Sequence, residues 1–304
     1  MTILVTGITG YVGSVVAARL AGEGHAVRGF ARSPERVTVE VPVVAGDAVT
    51  GEGLGQALDG VKVAYFLIHG MEPAADEPFA AREREAAERF AHAARAAGVS
   101  RIVYLGGIAP PGAVRSAHLA SRLAVEDILL QAAPASVAFR ASIVIGARSR
   151  SFRFLVRLVE RLPVLAYPAW QSNRTAPIDE RDIIAMLTRA ATSDRVSGRR
   201  LDVGGPDVVT YGELIDRIAG HMLVDRPGVR FKRLSATPIA SRVAAAITGE
   251  QWQLVAPLME SLDTDLLPAD DEAAELLEVR LHTLDAAIEH ALAEWERDEP
   301  LAAR

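Results

Sequence analysis

Thr6-Gly7-Ile8-Thr9-Gly10-Tyr11-Val12-Gly13 is the stretch whose reading decides the fold. It follows a short apolar run, Ile3–Val5, and opens a helical stretch, Tyr11–Ala21, that Gly22 and Gly24 close. A strand, a glycine-rich turn and a helix in that order form the setting in which such glycines bind phosphate. Gly7 allows a tight turn, Gly10 lets a diphosphate approach the backbone, and Gly13 lets the helix pack closely on the strand. The helix N-terminus offers unpaired N–H groups, on Tyr11, Val12 and their neighbours, and a partial positive charge. Thr9 belongs to the same expected contact set. The spacing is Gly-x-x-Gly-x-x-Gly, not the Gly-x-Gly-x-x-Gly of simple dehydrogenases. The alternative is a glycine-rich turn that holds no ligand.

Outward from this turn, strands and helices alternate. Strands are expected at His25–Phe30, Val41–Ala45, Val63–Ile68, Arg101–Leu105 and Ser136–Ile145, and helices near Leu54–Leu58, at Glu77–Ala97 and at Ala117–Ala132. The alternation predicts an α/β fold with a doubly wound parallel Rossmann sheet. Beyond Gly146 the pattern loosens. Helices are expected at Ser151–Arg161, Asp179–Thr192 and Leu284–Asp298, with two more across Pro238–Leu262. Arg200–Val203 reads as a strand able to rejoin the sheet, and Arg230–Arg233 as another. Thr210 and Glu213 form a capping box that opens a helix to Gly220. The expected organisation is a dinucleotide-binding domain over residues 1–150, with 179–205 returning to it. Residues 151–178 and 206–304 form a smaller, mostly helical substrate-side region.

The bulk numbers narrow the function. The chain has 304 residues, half of them hydrophobic, and a net charge of −6. That balance argues against nucleic-acid binding, which needs clustered positive charge. There is no cysteine, which excludes disulfides, thiolate catalysis and Cys-ligated zinc. No signal peptide is read at the start of the chain, and no apolar run approaches the ~20 residues of a membrane span. The expectation is a cytoplasmic protein without a membrane partner, monomeric or homodimeric. Lysine occurs only at 62 and 232, so arginine carries nearly all the positive charge.

The end of the second strand bears on cofactor choice. An acidic residue there would bond a ribose 2′-hydroxyl, whereas an arginine accommodates a 2′-phosphate. The sequence reads Arg28-Gly29-Phe30-Ala31-Arg32-Ser33, with no acid before Glu35. Arg32 and Ser33 therefore favour NADP(H), with NAD(H) possible; the alternative is that Arg32 is a solvated surface residue.

These segments, with Ala45-Gly46-Asp47, Tyr65-Phe66-Leu67-Ile68-His69-Gly70, Tyr104-Leu105-Gly106-Gly107 and Arg140-Ala141-Ser142-Ile143-Val144-Ile145-Gly146, resemble the atypical short-chain dehydrogenase/reductases, the NmrA-like and epimerase-like NAD(P)-binding group. The likeness continues through Arg174-Thr175-Ala176-Pro177-Ile178, Val203-Gly204-Gly205-Pro206-Asp207 and Pro257–Leu262. It implies that Asp47 and Ala48 sit near the adenine and that Leu67, Ile68 and His69 line the nicotinamide-side ribose. It also implies that Gly106 and Gly107 end the fifth strand under the cofactor, and that Ser142, Ile143 and Ile145 flank the nicotinamide. Substrate would lie between the carboxyl edge of the sheet and the C-terminal helices.

Typical members use a Tyr-x-x-x-Lys pair and a serine. None of the five tyrosines has a lysine four residues on, and Gly106-Gly107 occupies the serine position. At the corresponding helix start stand His118 and Arg122, four apart and so on one helix face. His118 is the candidate proton donor, since histidine titrates near neutrality, and Arg122 is the candidate ribose-binding cation. The alternatives are a helix-start histidine and a surface arginine. His69 is a second candidate acid. No His-x-x-x-His pair supports a zinc site, and no Gly-x-Ser-x-Gly elbow supports hydrolase chemistry. Expected substrate-side residues are Gly70, Met71, Ile108, His118, Arg174 and a Pro-punctuated loop with Tyr167, Trp170 and Gln171; that loop could instead pack against the sheet. Arg153, Arg157 and Arg161 form a stripe read as a solvated face, with an anionic-substrate rim or a membrane-surface contact as sharper alternatives. The functional expectation is an NADP(H)-binding reductase of a carbonyl, imine or activated alkene in a small organic substrate. A dinucleotide-sensing regulator without chemistry and a cofactor-assisted epimerase or dehydratase are the rivals.

Overall fold

A computed structural model describes residues 1–68, 79–110, 117–167, 169–230, 262–299 and 301. In chain order its elements are β1 (Thr2–Thr6), α1 (Tyr11–Gly22), β2 (Ala26–Ala31), β3 (Val43–Ala45), α2 (Leu54–Leu58), β4 (Val63–Phe66), α3 (Phe79–Ala96), β5 (Arg101–Gly107), α4 (Ala117–Leu130), β6 (Val137–Ala141), β7 (Val144–Ile145) and α5 (Arg150–Arg161). They continue as β8 (Leu165–Tyr167), β9 (Arg174–Thr175), β10 (Ile178–Asp179), α6 (Glu180–Arg189), β11 (Arg200–Val203), β12 (Val209–Thr210), α7 (Tyr211–His221) and β13 (Gly228–Arg230). Two helices follow, which we label α8 (Glu272–Leu276) and α9 (Leu284–Asp298). Among the described residues, no helix is long and apolar enough to cross a membrane.

Seven strands form one parallel sheet in the order β11-β6-β5-β4-β1-β2-β3. Successive side chains of a strand point to opposite faces, and the core divides accordingly. Ile3, Val5, Tyr65 and Val103 join α1 and α6 in one cluster. Leu4, Ala64, Phe66 and Tyr104 join α2, α3 and α4 in another. Both faces are thus covered, as the near-continuous apolar strands require. From β1 the chain runs outward to β2 and β3, then returns to place β4 on the other side of β1. The order reverses there, beyond the carboxyl ends of β1 and β4, which is where open α/β sheets bind their ligands.

The run Ser136–Ile145, expected as one strand, is two. β6 ends at Ala141, and β7 leaves the large sheet to pair in parallel with β10. The break is held at Ser142, whose hydroxyl donates to the Ala176 carbonyl at 3.2 Å and accepts from Thr175 Oγ1 at 3.0 Å. Arg200–Val203 does return, pairing in parallel with β6. The Thr210–Glu213 capping box is present. The expectations for Arg230–Arg233 and Pro238–Leu262 fall almost wholly outside the described residues.

Arginine closes helix ends, whose last carbonyls lack partners within the helix. Arg28 Nη1 donates to the carbonyls of Gln56, Ala57 and Asp59 at the end of α2. Arg101 Nη1 does the same for Ala190 and Ala191 after α6. In the C-terminal region α5, α7 and α9 pack around a separate apolar core. There Arg153 and Arg157 lie over the buried Trp295 ring, 4.2 and 5.0 Å from its centre, and both pair with Glu299. This corrects the reading of the arginine stripe as a solvated face: two of its three members fasten α9 to α5.

Candidate functional site

The mouth at the start of α1 is built by close backbone approaches. Gly7 has φ +66°, a left-handed conformation that glycine adopts without strain, and a Cβ there would fall on the carbonyl of Leu67 at the end of β4. A Cβ on Gly13 would fall on the Gly7 carbonyl. Gly10 is different: its Cβ would meet only the Gly7 carbonyl oxygen, at 3.1 Å, and the residue is exposed. Two of the three glycines are thus fixed by packing and the third by what it leaves open. Gly10 N donates to the Gly7 carbonyl at 2.9 Å and closes the turn. As N-cap of α1, Gly10 provides no side-chain partner, so the first-turn N–H groups of Tyr11, Val12 and Gly13 face the mouth.

Two further residues shape this corner. Thr6 is fully buried; its hydroxyl donates to the Tyr65 carbonyl at 2.9 Å and accepts from Leu67 N at 3.3 Å. It locks the ends of β1 and β4 together. Ile8, also buried, fills space that a Cβ on Gly29 of β2 would invade. Neither stands out in the sequence, because a threonine and an isoleucine inside a glycine motif carry no distinguishing pattern.

At the end of β2, Arg32 is exposed, with Ser33 next to it. Asp47 lies beyond β3; its carboxylate accepts from Val49 N at 2.8 Å and shapes its own loop, while Ala48 is buried. On the opposite side, Leu67 and Ile68 end the β4 segment, whereas His69, Gly70 and Met71 lie outside the described residues. β5 runs through Gly106 and Gly107, and the Tyr104 ring occupies the space a side chain at Gly106 would need. The buried Tyr104 hydroxyl donates to the Arg122 carbonyl at 3.3 Å, and burial raises its pKa against the pull of Arg122. Ile143 and Ile145 are buried.

His118 falls in the first turn of α4, with Arg122 one turn on. Arg122 is buried, and its guanidinium lies 3.3 Å from the Glu83 carboxylate of α3. Ser121 donates to the same carboxylate at 2.8 Å. Arg122 is therefore no surface residue, and its charge is engaged between α3 and α4. Ile108 packs with Leu119 and Leu266 in a small apolar cluster beyond β5.

The expected aromatic substrate loop is placed elsewhere. Tyr167 and Trp170 are buried in the C-terminal core. The Tyr167 hydroxyl donates to Asp216 of α7 at 2.6 Å, and Trp170 meets Tyr211 edge-on at 6.1 Å. Gln171 lies against Gly212 at the start of α7. The loop packs on α7, where two aromatic faces gain from a dry core, and not on the large sheet. Arg174 Nε and Nη2 both donate to Asp265 Oδ2, at 3.0 and 2.7 Å, and its backbone N donates to Oδ1 at 2.6 Å. Asp179, Asp182 and His282 bring ligand-type atoms within 4.8 Å of one another. Arg181 holds Asp179, and Asp182 accepts from His282 N and contacts its ring nitrogen, so the cluster fastens the 277–283 segment to α6.

One polar group near the mouth has no counterpart in the sequence reading. Glu180 opens α6 and is 9% exposed. Burial, and then Glu294, push its pKa up to about 7, with Arg181 acting the other way.

Comparison with known proteins sets this geometry in context. Residues 7–141 match the family described as NAD(P)H-binding. The chain is similar, at 32% identity over 235 residues, to (4-alkanoyl-5-oxo-2,5-dihydrofuran-3-yl)methyl phosphate reductase of Streptomyces griseus subsp. griseus, covering 76% of this chain and 77% of that one. It is similar, at 26% identity over 303 residues, to ceramide reductase of Caulobacter vibrioides, covering 93% of each. In fold it resembles a short-chain dehydrogenase/reductase superfamily protein from Agrobacterium tumefaciens with bound NAD, with a TM-score of 0.71, 19% identity and 98% coverage of both chains.

Proposed function

Because the chain belongs to the atypical, NAD(P)H-binding short-chain dehydrogenase/reductases, we propose that it is an NADP(H)-dependent reductase of a carbonyl, imine or activated alkene in a small organic molecule. The observation that carries this is the open α1 mouth. Gly7 and Gly13 fix its backbone, while exposed Gly10 leaves the first-turn N–H groups accessible to a diphosphate. Exposed Arg32 at the end of β2 supports a 2′-phosphate and hence NADP(H) over NAD(H). Asp47 and Ala48 flank the adenine; Leu67, Ile68 and His69 flank the nicotinamide-side ribose; Gly106, Gly107, Ser142, Ile143 and Ile145 flank the nicotinamide.

The nicotinamide supplies the hydride when bound. This chain must orient substrate against it and provide a proton. His118 is our proton donor, at the helix start where related enzymes carry tyrosine. Arg122, held by Glu83, is a positioning residue that fixes the α4 turn bearing His118. The relatives from Streptomyces griseus and Caulobacter vibrioides are named as reductases, which supports reduction as the reaction. A second reading, a dinucleotide sensor without chemistry, is favoured by Gly106-Gly107, where the usual serine would stand.

The test is loss of reduced-nicotinamide absorbance when purified protein and NADPH meet panels of carbonyls, imines and enones. Turnover that falls about 100-fold or more in His118→Ala, with NADPH binding retained, is expected of the reductase. NADPH binding without oxidation across the panels supports the sensor.

A further inference from the structure

Tyr11 and Glu180 meet behind the phosphate mouth. Tyr11 is the first residue of α1 and Glu180 the first of α6, and the two helices pack side by side. A Cβ added to Gly146 would overlap both the Tyr11 hydroxyl and Glu180 Oε2, so the two oxygens are close neighbours in space that only a glycine leaves free. Both atoms are buried, and among the described residues neither has a hydrogen-bond partner. A buried polar atom without a partner costs free energy and calls for an explanation.

We infer that Glu180 is a proton-linked positioning residue: it is protonated when the dinucleotide binds, and in that form it steadies Tyr11 at the diphosphate mouth. The inference rests on the cofactor reading above. Either form of Glu180 can bond the Tyr11 hydroxyl, the carboxylate by accepting from it and the acid by donating to it; only the acid leaves the Tyr11 O–H free to donate onward. A diphosphate at the α1 N-terminus brings negative charge to the other side of Tyr11, and like charges favour the neutral form.

The surrounding groups push the same way or are engaged elsewhere. From α9, Glu294 faces Glu180 and disfavours its charged form; His290 lies 4.0 Å from Glu294. On α6 itself Arg181 favours the charged form, but Asp179 holds its guanidinium. Asp182, in the same first turn, is engaged by His282. From the β7–α5 connection, exposed Arg148 lies 5.7 Å from the Tyr11 ring centre. Free Glu180 titrates near neutrality for these reasons, so the bound complex holds a proton that the free protein has partly lost at slightly alkaline pH. Affinity then falls as pH rises, by up to ~10-fold per pH unit between the free and bound titrations.

Calorimetric titration with NADPH, and in parallel NADH, from pH 7 to 8.5 in HEPES and in Tris, neither of which carries phosphate to compete at the mouth, tests this. The two buffers differ in ionisation enthalpy, so the difference in heat counts protons without any variant. Above pH 7 the 2′-phosphate, with a pKa near ~6, contributes little. The wild type should take up a substantial fraction of a proton at pH 8, and its Kd should rise about 10-fold across the range. Glu180→Gln, neutral and of the same shape, should take up none and show a flat Kd. Equal heats in both buffers, or uptake that persists in Glu180→Gln, overturn the inference while leaving the cofactor reading intact. No heat with either coenzyme at any pH overturns both.

Discussion

The guanidinium of Arg122 lies 3.3 Å from the carboxylate of Glu83, and both side chains are buried between α3 and α4. The pair sits one helical turn beyond His118, so it fixes the part of α4 nearest the expected chemistry. Removing one partner strands the other's charge. Arg122→Ala should destabilise the fold by about 3–5 kcal/mol, whereas Arg122→Met combined with Glu83→Leu should recover most of that. Denaturant titration of the three variants checks both statements. A single variant as stable as wild type would deny the pair its structural role.

The glycines of the mouth should separate by function. Gly13→Ala places a Cβ on the Gly7 carbonyl and should cost about 1–3 kcal/mol of stability through overpacking. Gly10→Ala fits the φ of −84° at that position and should fold normally. It should nevertheless weaken dinucleotide binding, by roughly 10-fold or more, since the added methyl group enters the space left for the diphosphate. Thermal melts and coenzyme titrations on the two variants read the difference.

Arg32 should carry the choice of coenzyme. A charge-assisted hydrogen bond contributes about 1.5–3 kcal/mol, so Arg32→Ala should raise the Kd for NADPH roughly 10- to 100-fold. The Kd for NADH should stay nearly unchanged. Equal losses for both coenzymes would mean that Arg32 acts on something other than the 2′-phosphate.

Glu180 should also mark the pH dependence of the unliganded fold. Its carboxyl titrates near 7 when folded, against an ordinary value of 4.5. Between those values the folded state holds more protons than the unfolded, so stability falls as pH rises through that window and levels off above it. The loss is on the order of 3 kcal/mol at most, from the rise of about 2.5 between 4.5 and 7. Glu180→Gln should remove this component and be the more stable protein above pH 7, as urea titrations at pH 5 and 8 would show.

Much of this fold is legible in the sequence for physical reasons. Ile3–Val5, Val63–Phe66 and Arg101–Leu105 are apolar runs that a sheet buries on both faces, and the glycine turn between β1 and α1 fixes the topology around them. Reading Ser136–Ile145 as one strand failed because its apolar content continues past the bend. The bend is held by hydroxyl bonds from Ser142 and Thr175, which come together only after folding. Tyr167 and Trp170 were expected at the substrate for the same kind of reason. An aromatic loop between prolines suits a pocket lid and a core wedge equally, and only the position of α7 decides. The Arg122–Glu83 and Tyr11–Glu180 pairs join residues 39 and 169 positions apart, so no local pattern announces them.

The central claim is that the α1 mouth holds the diphosphate of NADPH, with Arg32 at its 2′-phosphate. A crystal structure of the protein with NADPH tests it most directly. The account predicts diphosphate oxygens on the backbone N–H groups of Tyr11 to Gly13 and the 2′-phosphate within hydrogen-bonding reach of the Arg32 guanidinium. An empty mouth, or a coenzyme bound away from α1, would contradict it.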